Sequence, residues 1–163
     1  MSALDICNEA LAKLGEAPIS GITPDGSLAQ RMCYCTYHPV RREVLCILKP
    51  EFAIRTATID TFGTADGETK LPHTLPELCI RVLKAGNKPW TLQGRQLFSA
   101  EQELQIEYVA DVEDTDKFDA LFREAFTTLL AAKMCMPLIN SINVKQELMS
   151  DYVKLTGIKL ETT

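Results

Sequence analysis

Neither GxxxxGK[ST] nor GxGxxG occurs in the chain, so the glycine-rich backbone cradle used to bind nucleotide phosphates is missing. No stretch approaches the roughly 20 apolar residues needed to span a bilayer. No Lys/Arg cluster exceeds the pair Arg41-Arg42, and the net charge is −5, which excludes an affinity built on neutralising phosphates. The same charge is compatible with DNA sliding past a surface that repels it. The opening Met1-Ser2-Ala3-Leu4-Asp5 lacks a basic region followed by an apolar run. No signal peptide is therefore expected, and the chain is expected to be made in a cytoplasm and to stay soluble, with no membrane partner. Internal repeats and low-complexity segments are also lacking.

What is present is ordinary globular material. The 163 residues amount to one domain, and 46% apolar with 24% charged residues is enough for one proper core. Six cysteines occur at irregular spacings, mostly among apolar neighbours. With no sign of secretion they read as reduced, buried, small hydrophobes rather than as a disulfide framework.

Helical signals frame the chain. Ser2 and Asp5 fit an S-x-x-D capping box, and Leu4, Cys7, Leu11 and Leu14 then make one apolar stripe, predicting a helix over 3–14 that stops at Gly15. A second helix is predicted over 27–48 on the stripe Cys33, Tyr37, Val40, Val44 and Leu48, kinked or broken at Pro39. The middle changes period. Segments 52–59 and 79–83 read as strands, Leu104, Ile106, Tyr108 and Ala110 alternate with polar residues, and Trp90 to Phe98 reads as a hairpin turning at Gln93-Gly94. Pro72, Pro76 and the stretch 63–67 are assigned to loops. Helical period returns in Phe118, Leu121, Phe122, Ala125, Leu129 and Ala132, ending before Pro137. A last helix over 141–155 has a narrow face of Val144, Leu148, Tyr152 and Leu155 and stops at Gly157.

The expected fold is α+β and mainly α. Two N-terminal and two C-terminal helices form a four-helix bundle-like core (1–50 and 114–157), a small antiparallel sheet of four or five strands is inserted between them (51–113), and a tail runs over 158–163.

Candidate chemistry is thin. A Cys/His nucleophilic pair is formally open to the chain, because His38 and His73 are present. Cys33-x-Cys35 with His38 is the best metal candidate. Residues two apart on a helix point about 200° away from each other, however, and no second pair supplies the remaining zinc ligands. A thiol nucleophile would need an activating base and oxyanion donors that the flanking residues do not announce. His73, between Pro72 and Thr74, reads as a solvated loop imidazole. The acids Asp5/Glu9 and Glu113/Asp114 fit helix N-terminal charge placement. Arg41-Arg42-Glu43 reads as a solvated helix face, with an inter-subunit ion pair as the alternative. No catalytic residue, metal or cofactor is assigned. The competing expectation is a small cytoplasmic thiol- or metal-dependent hydrolase using Cys33, Cys35 or His38.

Several segments, in order, resemble one family. They are Ala3-Leu4-Asp5-Ile6-Cys7-Asn8-Glu9-Ala10-Leu11 continuing to Ile19; Cys33 through Tyr37-His38-Pro39-Val40-Arg41-Arg42-Glu43-Val44-Leu45, then Phe52-Ala53-Ile54-Arg55-Thr56-Ala57; Leu75-Pro76-Glu77-Leu78-Cys79 through Leu83, with Trp90 and Gly94-Arg95; and Phe118-Asp119-Ala120-Leu121-Phe122-Arg123-Glu124-Ala125 with Leu129 to Ala132. Together they are similar to the head–tail connector (adaptor) proteins of short-tailed bacteriophages, the group of tail tubular protein A and the head-completion gatekeepers. At Pro50-Glu51-Phe52-Ala53 the chain is shorter than that pattern and lacks its tryptophan. The resemblance implies a structural, non-enzymatic virion protein of the phage neck, assembled in the host cytoplasm. It would form a homo-oligomeric ring, a dodecamer, between the portal protein and the tail nozzle, with DNA passing through the lumen without sequence-specific binding. It further implies that the segment 141–163 reaches the portal. The portal and subunit-interface candidates are then Arg41, Arg42, Lys145, Leu148, Tyr152, Leu155 and Ile158.

Overall fold

Ser2 and Asp5 close the capping box reciprocally. The Asp5 N–H donates to Ser2 Oγ at 3.2 Å, and the Ser2 N–H donates to Asp5 Oδ2 at 2.8 Å. Helix α1 (Ala3–Lys13) follows, and the chain turns away at Gly15 in a left-handed conformation, φ +72°. In the computed structural model, which describes residues 1–158, the helical expectations hold in kind and differ at their ends. Ser27 and Gln30 make a second reciprocal cap, at 2.9 and 3.3 Å, in front of α2 (Leu28–Leu48).

Helix α2 runs unbroken through Pro39, and α3 (Ala120–Ile139) runs through Pro137 instead of stopping before it. Each proline deprives the carbonyl four residues earlier of its N–H partner. Those residues, Cys35 and Lys133, are exposed, as are both prolines, so water can take the place of the lost donor. Helix α3 ends at Asn140 in the left-handed region, φ +48°, and α4 (Ile142–Thr156) begins at once behind Ser141, whose Oγ accepts from the Val144 N–H at 3.3 Å. The expectation for the tail beyond Ile158 lies outside the described residues.

The chain divides into two compact units, Met1–Leu48 with the chain from Glu113 onward, and Lys49–Val112. The first is a helical bundle arranged around α3, which packs against α1, α2 and α4. Phe122, Ala125, Phe126, Leu129, Leu130, Ala132 and Met134 leave almost no side of α3 in water, as a central helix requires. Buried Thr127 returns its hydroxyl to the Arg123 carbonyl at 3.0 Å. Phe118, Phe122, Phe126 and Tyr37 form a ring cluster with centroids 4.6 to 6.2 Å apart.

The second unit opens with a short 3-10 turn, Glu51–Ala53, and otherwise carries all the strands. Its strands are β1 (Ile54–Asp60), β2 (Leu71–Thr74), β3 (Cys79–Ala85), β4 (Trp90–Gln93), β5 (Gln96–Ser99) and β6 (Glu103–Ala110). They make two three-stranded antiparallel sheets in place of the single sheet expected, ordered β1-β6-β3 and β2-β5-β4. The β4–β5 hairpin pairs Gln93 with Gln96, so its turn is Gly94-Arg95, one residue later than expected, with Gly94 at φ +57°. Arg95 folds back from that turn and donates to the carbonyls of Pro76, Glu77 and Cys79, tying the hairpin to the loop before β3. Strand β2 contains the Pro72-His73 segment assigned to a loop. His73 is fully buried there, Nδ1 lying 3.0 Å from the Leu71 carbonyl and Nε2 3.1 Å from that of Gln102. The protein is thus α+β and mainly helical.

Candidate functional site

Tyr34, Tyr37, His38 and Arg41 fall at i, i+3, i+4 and i+7 of α2 and so share one stripe. Arg41 is fully buried, which corrects its expected place on a solvated face and as an interface residue. Its guanidinium lies 3.5 Å from Glu113 Oε1, and its Nε donates to His38 Nδ1 at 3.2 Å. With Nδ1 accepting, the neutral His38 ring carries its proton on Nε2. The ring meets Tyr37 edge-on, centroids 5.0 Å apart, and Tyr37 leans on Phe126 from the other side.

The Tyr37 hydroxyl is buried and has no hydrogen-bond partner among the described residues. Burial, reinforced by the neighbouring Cys7 and Glu113 and opposed by Arg41, pushes its ionisation up to about 12. Tyr37 lines a cavity of about 570 Å³ together with Ala3, Ile22, Tyr34, His38, Glu113 and Thr115. Tyr34 stands half out of it, and Thr115 is fixed at the rim by donating to the Met1 carbonyl at 2.6 Å. The walls are aromatic and aliphatic, and the polar groups are the hydroxyls of Tyr34, Tyr37 and Thr115, the His38 imidazole and the exposed Glu113 carboxylate. Such a pocket suits an apolar or aromatic group with one or two polar atoms beside it.

The thiol candidates do not join this site. Cys33 faces the interior, its Sγ 3.6 Å from Met134 Sδ and hydrogen-bonded to Cys7, whereas Cys35 is exposed on the other side of α2. The shared hydrogen bond, with burial, pushes the Cys7 thiol up; the same bond lowers the Cys33 thiol, but Cys33 is fully buried, where no substrate reaches it. Cys33, Cys35 and His38 are therefore not brought together. No group of three or more His, Cys, Asp or Glu able to hold a metal ion occurs among the described residues.

Of the other interface candidates, Arg42 is exposed and Lys145, Leu155 and Ile158 are half-buried. Leu148 and Tyr152 are buried within the chain, because the narrow face of α4 packs on α3 and is not left open for a partner. The aromatic pocket itself escaped the sequence reading. Its signal was available in part, since Arg41 lies four residues from both Tyr37 and Leu45 on the apolar stripe. Its partner Glu113, however, arrives from a distant segment that no local period reveals. A second, broader depression of about 860 Å³ lies on the outer face of β1-β6-β3 and presents Glu103, Glu107, Gln105, Thr56, Thr58 and Lys84. It is the polar face of a half-buried sheet, with more carboxylate than ammonium. No protein-family model matches the chain, and no curated protein matches it.

Proposed function

We propose that this chain is a structural head–tail connector of a short-tailed phage, a ring subunit seated between portal and tail nozzle with DNA passing through its centre. The observation that carries the reading is the ordered set of segments similar to that family, running from Ala3 to Ala132. In the folded chain their residues serve packing and turns: Ile6, Cys7, Ala10 and Leu11 in α1, Val40, Val44 and Leu45 in α2, Phe122 and Ala125 in α3, and the Gly94-Arg95 turn. A protein selected for a shape assembled from copies would use its residues in this way. The net charge of −5 and the carboxylates on the outer sheet face suit a lumen that lets DNA slide. In this role the chain performs no reaction and needs no cofactor, and portal, nozzle and its own copies are its partners.

Light scattering and electron microscopy of the purified chain, alone and mixed with portal rings, test the proposal. Rings, free or portal-bound, are expected. A monomer that ignores the portal overturns it.

A further inference from the structure

Phe62 is fully exposed just after β1, in the loop that leads to β2, with nothing among the described residues covering its ring. Its ring offers a large apolar face that an aromatic-lined pocket could take up. The loop around it is built to hold it there. The Gln102 amide donates to the Gly63 carbonyl at 2.8 Å and the Thr61 carbonyl at 3.3 Å, on either side of Phe62, and its Oε1 accepts from the Ala65 N–H at 2.7 Å. The Gly63 N–H donates to Thr61 Oγ1 at 3.4 Å. A side chain presented on so fixed a loop loses little freedom on binding.

The helical unit carries the complementary feature. The cavity of about 570 Å³ is walled by Tyr34, Tyr37, Ile22 and Ala3, with His38, Glu113 and Thr115 beside them, and is roomy enough for a benzyl group. Tyr37 brings to it a buried hydroxyl with no partner among the described residues. The segment Thr61-Phe62-Gly63-Thr64 carries no charge and brings none against the Arg41–Glu113 pair.

We propose that Phe62 of one copy of this chain inserts into the Tyr34–Tyr37 pocket of the next. The knob and the hole are different surfaces of one molecule, so the contact is heterologous, and repeated head to tail it closes a ring or extends a filament. This contact rests on the ring reading above and supplies its subunit interface. Aromatic anchors filling apolar pockets are where interfaces concentrate their binding energy. The ring of Phe62 would stack against Tyr34 and Tyr37 as an offset or edge-on aromatic group.

The test uses the full chain with Phe62 replaced by a photoreactive benzophenone-bearing phenylalanine, illuminated as an equal mixture of ¹⁴N and ¹⁵N protein. Mixed-isotope adducts between position 62 and Tyr34 or Ile22 are expected. In sedimentation, Phe62→Ala and Tyr34→Glu, both at exposed positions, should each weaken self-association by about tenfold or more. Mixed together, the two variants should form a two-chain complex and nothing larger, because one knob and one hole remain. Rings that persist undiminished in Phe62→Ala, or adducts within one chain or at other positions, overturn the contact and leave the ring reading standing. Adducts at Tyr34 in a protein that stops at dimers keep the contact and overturn the ring. No adduct and no association overturn both.

Discussion

Two buried tyrosine hydroxyls, those of Tyr37 and Tyr152, have no hydrogen-bond partner among the described residues. An unsatisfied buried hydroxyl costs about 1–3 kcal/mol, so its removal should not harm the fold. Tyr152→Phe and Tyr37→Phe are expected to be neutral or to stabilise by up to about 1 kcal/mol in urea unfolding. A loss larger than that would show that the hydroxyl is bonded in solution. The same burial makes both residues alkaline sensors. Each ionisation is pushed up to about 12, for Tyr37 by burial first and for Tyr152 by burial with Glu43 adding to it. The folded protein therefore holds these protons where the unfolded chain has released them. Their contribution to stability is full below the ordinary tyrosine value near 10 and is lost as pH rises from there through about 12. Denaturation midpoints should be level up to pH ~10 and fall beyond it, less steeply in the Phe variants. An unchanged slope in the double variant would assign the alkaline loss to other groups.

At the scale of elements, the two helix-interior prolines make a sharp case. Pro39 and Pro137 each interrupt a backbone ladder, yet each does so where the freed carbonyl belongs to an exposed residue, Cys35 or Lys133. Pro39→Ala and Pro137→Ala should therefore keep the fold, restore one hydrogen bond, and raise stability by an amount below the ~3 kcal/mol that proline costs an unadapted helix interior. Calorimetric midpoints check this, and a drop in either variant would mean that the proline fixes a bend the packing needs. These helices also show what the sequence makes legible. Caps and stripes are local, so α1, α2, α4 and strand β6 could be read within a few residues, and the α+β class with them. Helix α3 could not be ended correctly, because whether a proline breaks a helix depends on which side of it meets water. Strand β2 was hidden for a related reason. Pro72-His73 has the composition of a loop, and it becomes a strand through pairing with β5, where His73 faces Leu97. The burial of Arg41 and His73 depends on Glu113 and on the Gln102 carbonyl, groups far away in the chain. The pocket beside Tyr37 is assembled from α1, α2 and two loops, so its residue types show no spacing that could have announced it.

The whole molecule crosses between its two units at 48–49 and again at 112–113. Each unit carries its own optical reporter. Helices α1 to α4 all belong to the first unit, and the single tryptophan, Trp90, belongs to the second. The β unit is a short segment with two small sheets, and β4 on one sheet edge is almost wholly exposed. Segments of its length are marginal as independent folds, because they bury only about 60% of the surface their unfolded chain exposes. The helical unit instead surrounds α3 on nearly every side. The free chain should therefore unfold in two steps, tryptophan emission changing at lower denaturant than helical ellipticity, which violates two-state behaviour. Hydrogen exchange should place its slowest amides in α3 and its fastest protected ones in β2-β5-β4. If a ring forms through Phe62, the loop it occupies is held at both ends of the contact. Oligomerisation should then raise the first transition toward the second, and this shift should vanish in Phe62→Ala. Coincident transitions in the monomer would show instead that the two units melt as one cooperative body.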